Sequence, residues 1–190
     1  MSHDTPLAVT AANVRQFAPD GAPPPDAPDW IWRYDHPYLH GAFAPTNVEY
    51  EADDLEVEGE IPADLCGAYV MNGPSQRFEP VNSKYHYYDG DAMLRAIYFR
   101  DGKAWFKQKW LRNGAFIVED KAGKAIWPGL AGPYDFRLPG SPIKDVSNTD
   151  IIFHNGSLLS LWYMAGDPYR VAPLPLKTRG RKTLGGKLHH

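Results

Sequence analysis

The sequence predicts an all-β chain assembled from short antiparallel hairpins. Three observations carry this. Aromatic residues make up 13% of the chain, with six Trp and eleven Tyr, the residues that favour a pleated, half-buried surface. Seventeen Gly and eighteen Pro cut the aromatic runs into strand-length pieces. Asp101-Gly102 and Asn155-Gly156 each stand between two apolar runs, the pattern of a tight hairpin turn that needs positive φ. Their glycines lie 54 positions apart, near the roughly 40–50-residue period of propeller blades. Two occurrences suit any antiparallel sheet as well as a propeller. No convincing amphipathic helix stands out.

Residues 1–45 hold eight of the prolines, including Pro23-Pro24-Pro25 and Pro28. Residues 1–29 read as a Pro-rich N-terminal arm, either packed on the body or a loose tail. From Trp30 onward, Trp32, Tyr34 and Tyr38 bring enough aromatic surface to favour packing. Glu49 to Glu60 carries seven acids around Tyr50, Leu55 and Val57, which reads as a solvated edge strand. Gly67–Val70 reads as a short strand stopped by an Asn72-Gly73-Pro74 turn. Met93–Phe99 and Lys103–Leu111 are the arms of the first hairpin. Ile151–Phe153, read as a buried strand, and Ser157–Tyr163 are those of the second. At about 40–50 residues per blade, the body holds about three blades, too few to close a propeller of about 4–8.

Composition excludes several classes. A net charge of −3 argues against nucleic acid as the main partner. The one cysteine, Cys66, allows neither an intrachain disulfide nor a Cys-based zinc site. No run of 18 apolar residues is present, and Met1-Ser2-His3-Asp4 lacks the basic and apolar regions of a secretory signal. The expected setting is the cytoplasm. P-loop, G-x-G-x-x-G, G-x-S-x-G and H-E-x-x-H motifs are missing, so NTPase, dinucleotide, serine-hydrolase and zincin readings lose their support.

The histidines are His3, His36, His40, His86, His154, His189 and His190. His36 and His40 would share a helix face, but Pro37 and Gly41 disfavour a helix. His154 reads as a strand-end residue, and His189-His190 as a terminal pair. The densest polar segment is Tyr85-His86-Tyr87-Tyr88-Asp89-Gly90-Asp91. His86, Asp89 and Asp91 could form a hard-cation or acid–base site. The favoured reading is a tight turn whose carboxylates accept backbone N–H groups. The tail from Lys177 carries five Lys and Arg and no acid, and reads as solvated.

Residues go further where they match known motifs. Pro37-Tyr38-Leu39-His40-Gly41-Ala42-Phe43-Ala44-Pro45, Leu55–Leu65 and Gly67–Pro74 resemble the N-terminal region of the carotenoid cleavage oxygenase family. His86-Tyr87-Tyr88-Asp89-Gly90-Asp91-Ala92-Met93 resembles its His-aromatic-aromatic-Asp-Gly-Asp-Gly-Met segment. Lys144–Thr149 with His154–Trp162 resembles its next block. The resemblance covers about residues 30–188. It implies a seven-bladed β-propeller of which this chain, over residues 30–190, is the incomplete N-terminal part. It also implies Fe(2+) held on the axis by four histidines, and cleavage of a conjugated C=C bond by O2 into two carbonyl products. The implied partners are O2 and a lipophilic polyene, with a membrane surface as a further contact. Neutral imidazoles suit Fe(II) and leave positions open.

By this alignment the chain stops a few residues short of the first iron histidine. No residue is therefore assigned as catalytic, cofactor-binding or metal-ligating, and the chain alone is expected to hold no iron and to be inactive. Met71 stands for the usual Arg, and Ala92 for a Gly. Tyr163 stands where the family usually has a Glu that hydrogen-bonds an iron histidine. Trp162 stands where stilbene-cleaving members tend to have Lys, which leans toward carotenoid or apocarotenoid substrates. The alternative is a truncated, catalytically inactive propeller that acts as a binding or interaction module. Its open strand edges would make it aggregate or need a partner.

Overall fold

The computed structural model describes residues 26–164 and 166–188. The Pro-rich run up to Pro25, His3, His189 and His190 lie outside the described residues. Two four-stranded antiparallel sheets form the body. The first comprises β1 (Tyr50–Ala52), β2 (Gly67–Ser75), β3 (Asp91–Arg100) and β4 (Lys103–Trp110), in the order β1-β4-β3-β2. The second comprises β5 (Asp150–His154), β6 (Ser157–Leu161), β7 (Tyr169–Ala172) and β8 (Lys177–Arg181), in chain order. Two sheets appear where the period suggested about three, because residues 76–90 and 123–149 run as irregular connections rather than as strands.

Both hairpins form where the turn chemistry placed them. Asp101 and Gly102 have φ of 53° and 70°, and Asn155 and Gly156 have 46° and 72°, the left-handed pair that joins twisted strands without splaying them. Alternation then sorts β3. Ala92, Leu94, Ala96 and Tyr98 pack with Leu158, Tyr169 and Val171 of the second sheet and with Leu176 in the turn between β7 and β8. Arg95 and Ile97 fall on the opposite face with Tyr69 and Met71, their partners on β2. That face is open at Tyr69, which is 62% exposed, and at Met71, while further along Met93 packs with Trp110 and Phe116. The two sheets thus stack face to face, with β2 lying against β5.

Several expectations are corrected. Asn72-Gly73-Pro74 is not a turn but the continuation of β2, paired to Leu94, Met93 and Ala92. Pro74 is tolerated because β2 is the last strand in its sheet and needs no second ladder. Ile151–Phe153 is not buried. Phe153 is 68% exposed, because β5 also ends its sheet. Among the described residues one α-helix is present, α1 (Gly114–Ala122). Asn113 caps it by accepting from Phe116 N–H at 2.8 Å, and Gly123 ends it at φ 66°. Its buried side chains are Phe116 and Glu119. One aromatic and one carboxylate make no apolar stripe, so the periodicity was silent. The acidic run behaves as expected in part: β1 is an edge strand, and Glu51 pairs with Lys107 and Lys109.

Asp26 O accepts from Asn47 N–H at 3.2 Å, and its carboxylate accepts from the Thr46 hydroxyl. A 3-10 turn (Asp29–Arg33) then buries Trp30 and Ile31 against Leu39 and Tyr85.

Gly90 shows how closely the pieces approach. A Cβ there would lie 2.6 Å from Ser75 N and 2.9 Å from Ser75 C. Both are backbone atoms of β2 and cannot rotate away. Gly90→Ala is expected to cost about 1–3 kcal/mol, read as a lower urea midpoint with an unchanged slope.

Candidate functional site

The segment before β3 meets the segment before β5 at the junction of the sheets. A 3-10 turn (Tyr87–Asp89) opens with His86 as its cap. His86 Nδ1 accepts from Tyr88 N–H at 3.2 Å, while Asp89 accepts from His86 N–H at 2.8 Å. The other Asp89 oxygen accepts from Leu130 N–H at 2.7 Å. For Asp89, then, the tight-turn reading holds. Burial raises its pKa, with these two backbone bonds opposing.

Asp91 does something else. It is 2% exposed and lies 2.7 Å from Lys144 Nζ. Lys144 also lies 2.6 Å from Glu119 of α1. One cation thus sits between two buried carboxylates, a net negative triad joining β3, α1 and the segment before β5. Burial disfavours every charge here. For Lys144 the two carboxylates outweigh burial and hold its pKa above the ordinary value. For Asp91 burial dominates, Glu119 adds to it, and the pKa is raised. One lysine cannot fully compensate two buried anions. Glu119 also accepts from Ile126 N–H at 2.8 Å, which ties the chain after α1 to the triad.

A polar seam continues to the inner strands. Asn148 Nδ2 donates to Gly90 O at 2.6 Å and to Tyr88 O at 3.0 Å. Asn72 Nδ2 donates to Ser147 O at 2.8 Å and to Ser160 Oγ at 2.9 Å. These bonds explain why β2 runs through Asn72 rather than turning there. Beside the seam lies a cavity of about 20 Å³, lined by Gln76, Glu119, Trp127, Lys144 and Trp162 among others. It is large enough for one water. A wider cleft of about 870 Å³ is lined by Pro28, Trp30, Tyr34, Arg77 and Phe78 among others.

Asp145 is the third unusual carboxyl. It accepts from the Tyr169 hydroxyl and the Asp167 N–H, yet burial pushes its pKa up to about 6. A Cβ on Gly166 would collide with its carboxylate. The folded state holds this proton up to about pH 6, whereas an unfolded Asp releases it near about 3.9. Between these values the native state binds more protons, so stability falls as pH rises from about 4 to 6. The expected loss is about 1–3 kcal/mol. Asp145→Asn should flatten that part of a Tm–pH curve.

The sequence candidates do not converge. His36 Nδ1 accepts from Tyr38 N–H at 3.3 Å, and His40 Nε2 bonds Tyr34 O at 2.7 Å. A short 3-10 turn (Pro37–Leu39) lies between them, with Pro37 at its start. His86 caps its turn, and His154 ends β5. Among the described residues no three His, Cys, Asp or Glu side chains form a group that could hold a metal. The described residues therefore do not fit the four-histidine iron site implied by the resemblance. Sequence reasoning missed the Lys144 triad, since Asp91, Glu119 and Lys144 come from three separate segments. It also missed how Trp162 and Tyr163 continue a row of rings through Tyr88 and Tyr87.

Comparison with known proteins places this geometry. The family model described as retinal pigment epithelial membrane protein matches residues 43–190. The chain is 36% identical over 155 residues to isoeugenol monooxygenase of Pseudomonas nitroreducens, covering 80% of this chain and 32% of that protein. It is 34% identical over 171 residues to apocarotenoid-15,15'-oxygenase of Synechocystis, covering 84% and 32%. The structure of Pseudomonas brassicacearum lignostilbene dioxygenase superposes with a TM-score of 0.73 at 26% identity, covering 80% and 32%. A cobalt-substituted Synechocystis apocarotenoid oxygenase superposes with a TM-score of 0.65 at 35% identity, covering 77% and 32%. The chain spans about a third of the length of these relatives. Its two stacked sheets are blades of their propeller, and the chain belongs to the retinal pigment epithelial membrane protein family of oxygenases.

Proposed function

We propose that this chain is the N-terminal sector of a non-haem iron(II) dioxygenase that cleaves a conjugated C=C bond into two carbonyl products. The family match over residues 43–190 carries the reading. The substrate we assign is a carotenoid or apocarotenoid. Similarity to the apocarotenoid oxygenase supports it, as does Trp162 at the position where stilbene-cleaving members tend to have Lys. In this reading Fe(2+) is held by residues other than those described, and the protein works in the cytoplasm. In this reading the Lys144 triad and the Asn72–Asn148 seam are architectural: they hold the inner ends of two blades in register.

The test uses the protein expressed at its natural length and supplied with Fe(II), isotope-labelled O2, an apocarotenal and a hydroxystilbene. Mass spectrometry should find two labelled carbonyl fragments from the apocarotenal. Cleavage of the stilbene alone would overturn the substrate assignment, and cleavage of neither would overturn the activity.

The second reading, an inactive binding or interaction module, draws on the open face of the first sheet. Tyr69 and Met71 are exposed there beside Ile97. Expressed as residues 1–190 only, the chain is expected to self-associate. Tyr69→Lys with Met71→Glu should shift sedimentation toward monomer. A monodisperse parent chain would count against the exposed face as an association surface.

A further inference from the structure

Five oxidisable rings stand in an unbroken row across this molecule. Trp162 and Tyr163 have ring centroids 6.2 Å apart, and Tyr163 and Tyr88 5.9 Å. Tyr88 and Tyr87 follow at 5.3 Å, then Tyr87 and Tyr38 at 5.2 Å. The two ends differ. Trp162 is 9% exposed, and its indole nitrogen is buried with no hydrogen-bond partner. Tyr38, at the other end, is 41% exposed, and Tyr163 and Tyr88 on the way reach solvent as well, at 61% and 38%. Packing alone would leave no reason for every member to be Trp or Tyr, since Phe43 already makes the same ring contacts with Tyr38 and Tyr87 without a hydroxyl.

We propose that these rings form a hole-transfer relay that carries an oxidising equivalent from buried Trp162 along the solvent-reaching tyrosines as far as Tyr38. The inference is independent of the substrate and metal assigned above. The oxidant is an oxygen-centred radical, RO•. In the first step Trp162 gives up one electron, RO• takes it together with a proton from water and becomes ROH, hydroxide is left in the water, and the indole remains as a radical cation that keeps its N–H. Tyr163 then reduces this radical cation. Its electron crosses to the indole, and its phenolic proton leaves to water and neutralises the hydroxide. Tyr163 is 61% exposed, so water can take that proton. Each later hop repeats the exchange of one electron and one proton between neighbouring phenols. The net change is Tyr38–OH and RO• giving Tyr38–O• and ROH. A soluble thiol then restores Tyr38 and leaves a thiyl radical in solution. Adjacent rings in near contact permit such hops, whereas a ring that resists oxidation stops them.

The test breaks the row at Tyr87, the oxidisable ring that links Tyr88 to Tyr38. The protein at its natural length is exposed to a low dose of azide radicals, which prefer indoles, in the presence of a nitroso spin trap. Peptide mass spectrometry then locates the adducts. The parent protein is expected to carry the adduct on Tyr38. Tyr87→Phe keeps the ring and its packing but cannot relay, so the Tyr38 adduct should fall at least threefold while adducts on Tyr88 and Tyr163 rise. Tyr69→Phe, at an exposed tyrosine outside the row, should change nothing. Matching melting curves confirm that each variant is folded. An unchanged Tyr38 adduct in Tyr87→Phe would show that exposure alone decides labelling, and the relay would be wrong.

Discussion

Replacing Lys144 by Met is expected to remove about 3–5 kcal/mol of stability, the cost of leaving buried charge without its partner. Lys144 is 8% exposed and touches Asp91 at 2.7 Å and Glu119 at 2.6 Å. Without it, two buried carboxylates face each other with no cation. One must take up a proton or the site must open to water. The loss is a large part of the roughly 5–15 kcal/mol that holds an ordinary domain together. It should appear as a collapse of the urea midpoint at neutral pH and a partial recovery in acid, where the carboxylates protonate. Adding Asp91→Asn and Glu119→Gln should restore most of the loss, because the uncompensated charge goes with them. Arg33→Met, at an exposed pair with Glu79, is the contrast, with an expected change below about 1 kcal/mol. If Lys144→Met were as mild as Arg33→Met, the triad would not hold the sheets together.

Phe116→Ala is expected to cost about 3–5 kcal/mol. Phe116 is 1% exposed and packs on Met93 and Trp110, with its ring 5.6 Å from that of Trp110. The Arg77 guanidinium stands 4.6 Å from the ring centre and that of Arg112 5.3 Å. Truncation therefore opens a cavity and removes two cation–π contacts, each about 0.5–1 kcal/mol at such a site. α1 has nine residues, too few to persist without tertiary packing. The helix should loosen with its anchor and take Glu119 away from Lys144. Phe116→Leu should recover more than half of the loss. Denaturation followed by both tryptophan fluorescence and far-ultraviolet circular dichroism checks this. A cost below about 1 kcal/mol would mean that the helix stands apart from the core.

The hairpins were legible because their causes are local. Asp101-Gly102 and Asn155-Gly156 reach positive φ by their own chemistry, and alternation on β3 sorts Ala92, Leu94, Ala96 and Tyr98 onto one face. α1 was not legible, because its inward residues are a phenyl ring and a carboxylate rather than an apolar stripe. Its cap, Asn113, and its terminator, Gly123, were visible signals that the stripe-based reading passed over. Asn72-Gly73-Pro74 misled because a turn signal is a local preference. Here the ladder to β3 and the bonds from Asn72 to the second sheet override it. The Asp89-Gly90-Asp91 segment divides in the same way. Asp89 obeys its local turn, whereas the partner of Asp91 arrives from Lys144, in a separate segment.

The β class, the two hairpins and the family are written in contiguous residues and short spacings, so reading the residues in order was enough to find them. Which charges are buried, which strands end their sheets and which rings line up follows from long-range packing. Those outcomes depend on segments far apart in the chain meeting where water is excluded. There an unpaired charge or an unbonded amide is costly enough to override local preference.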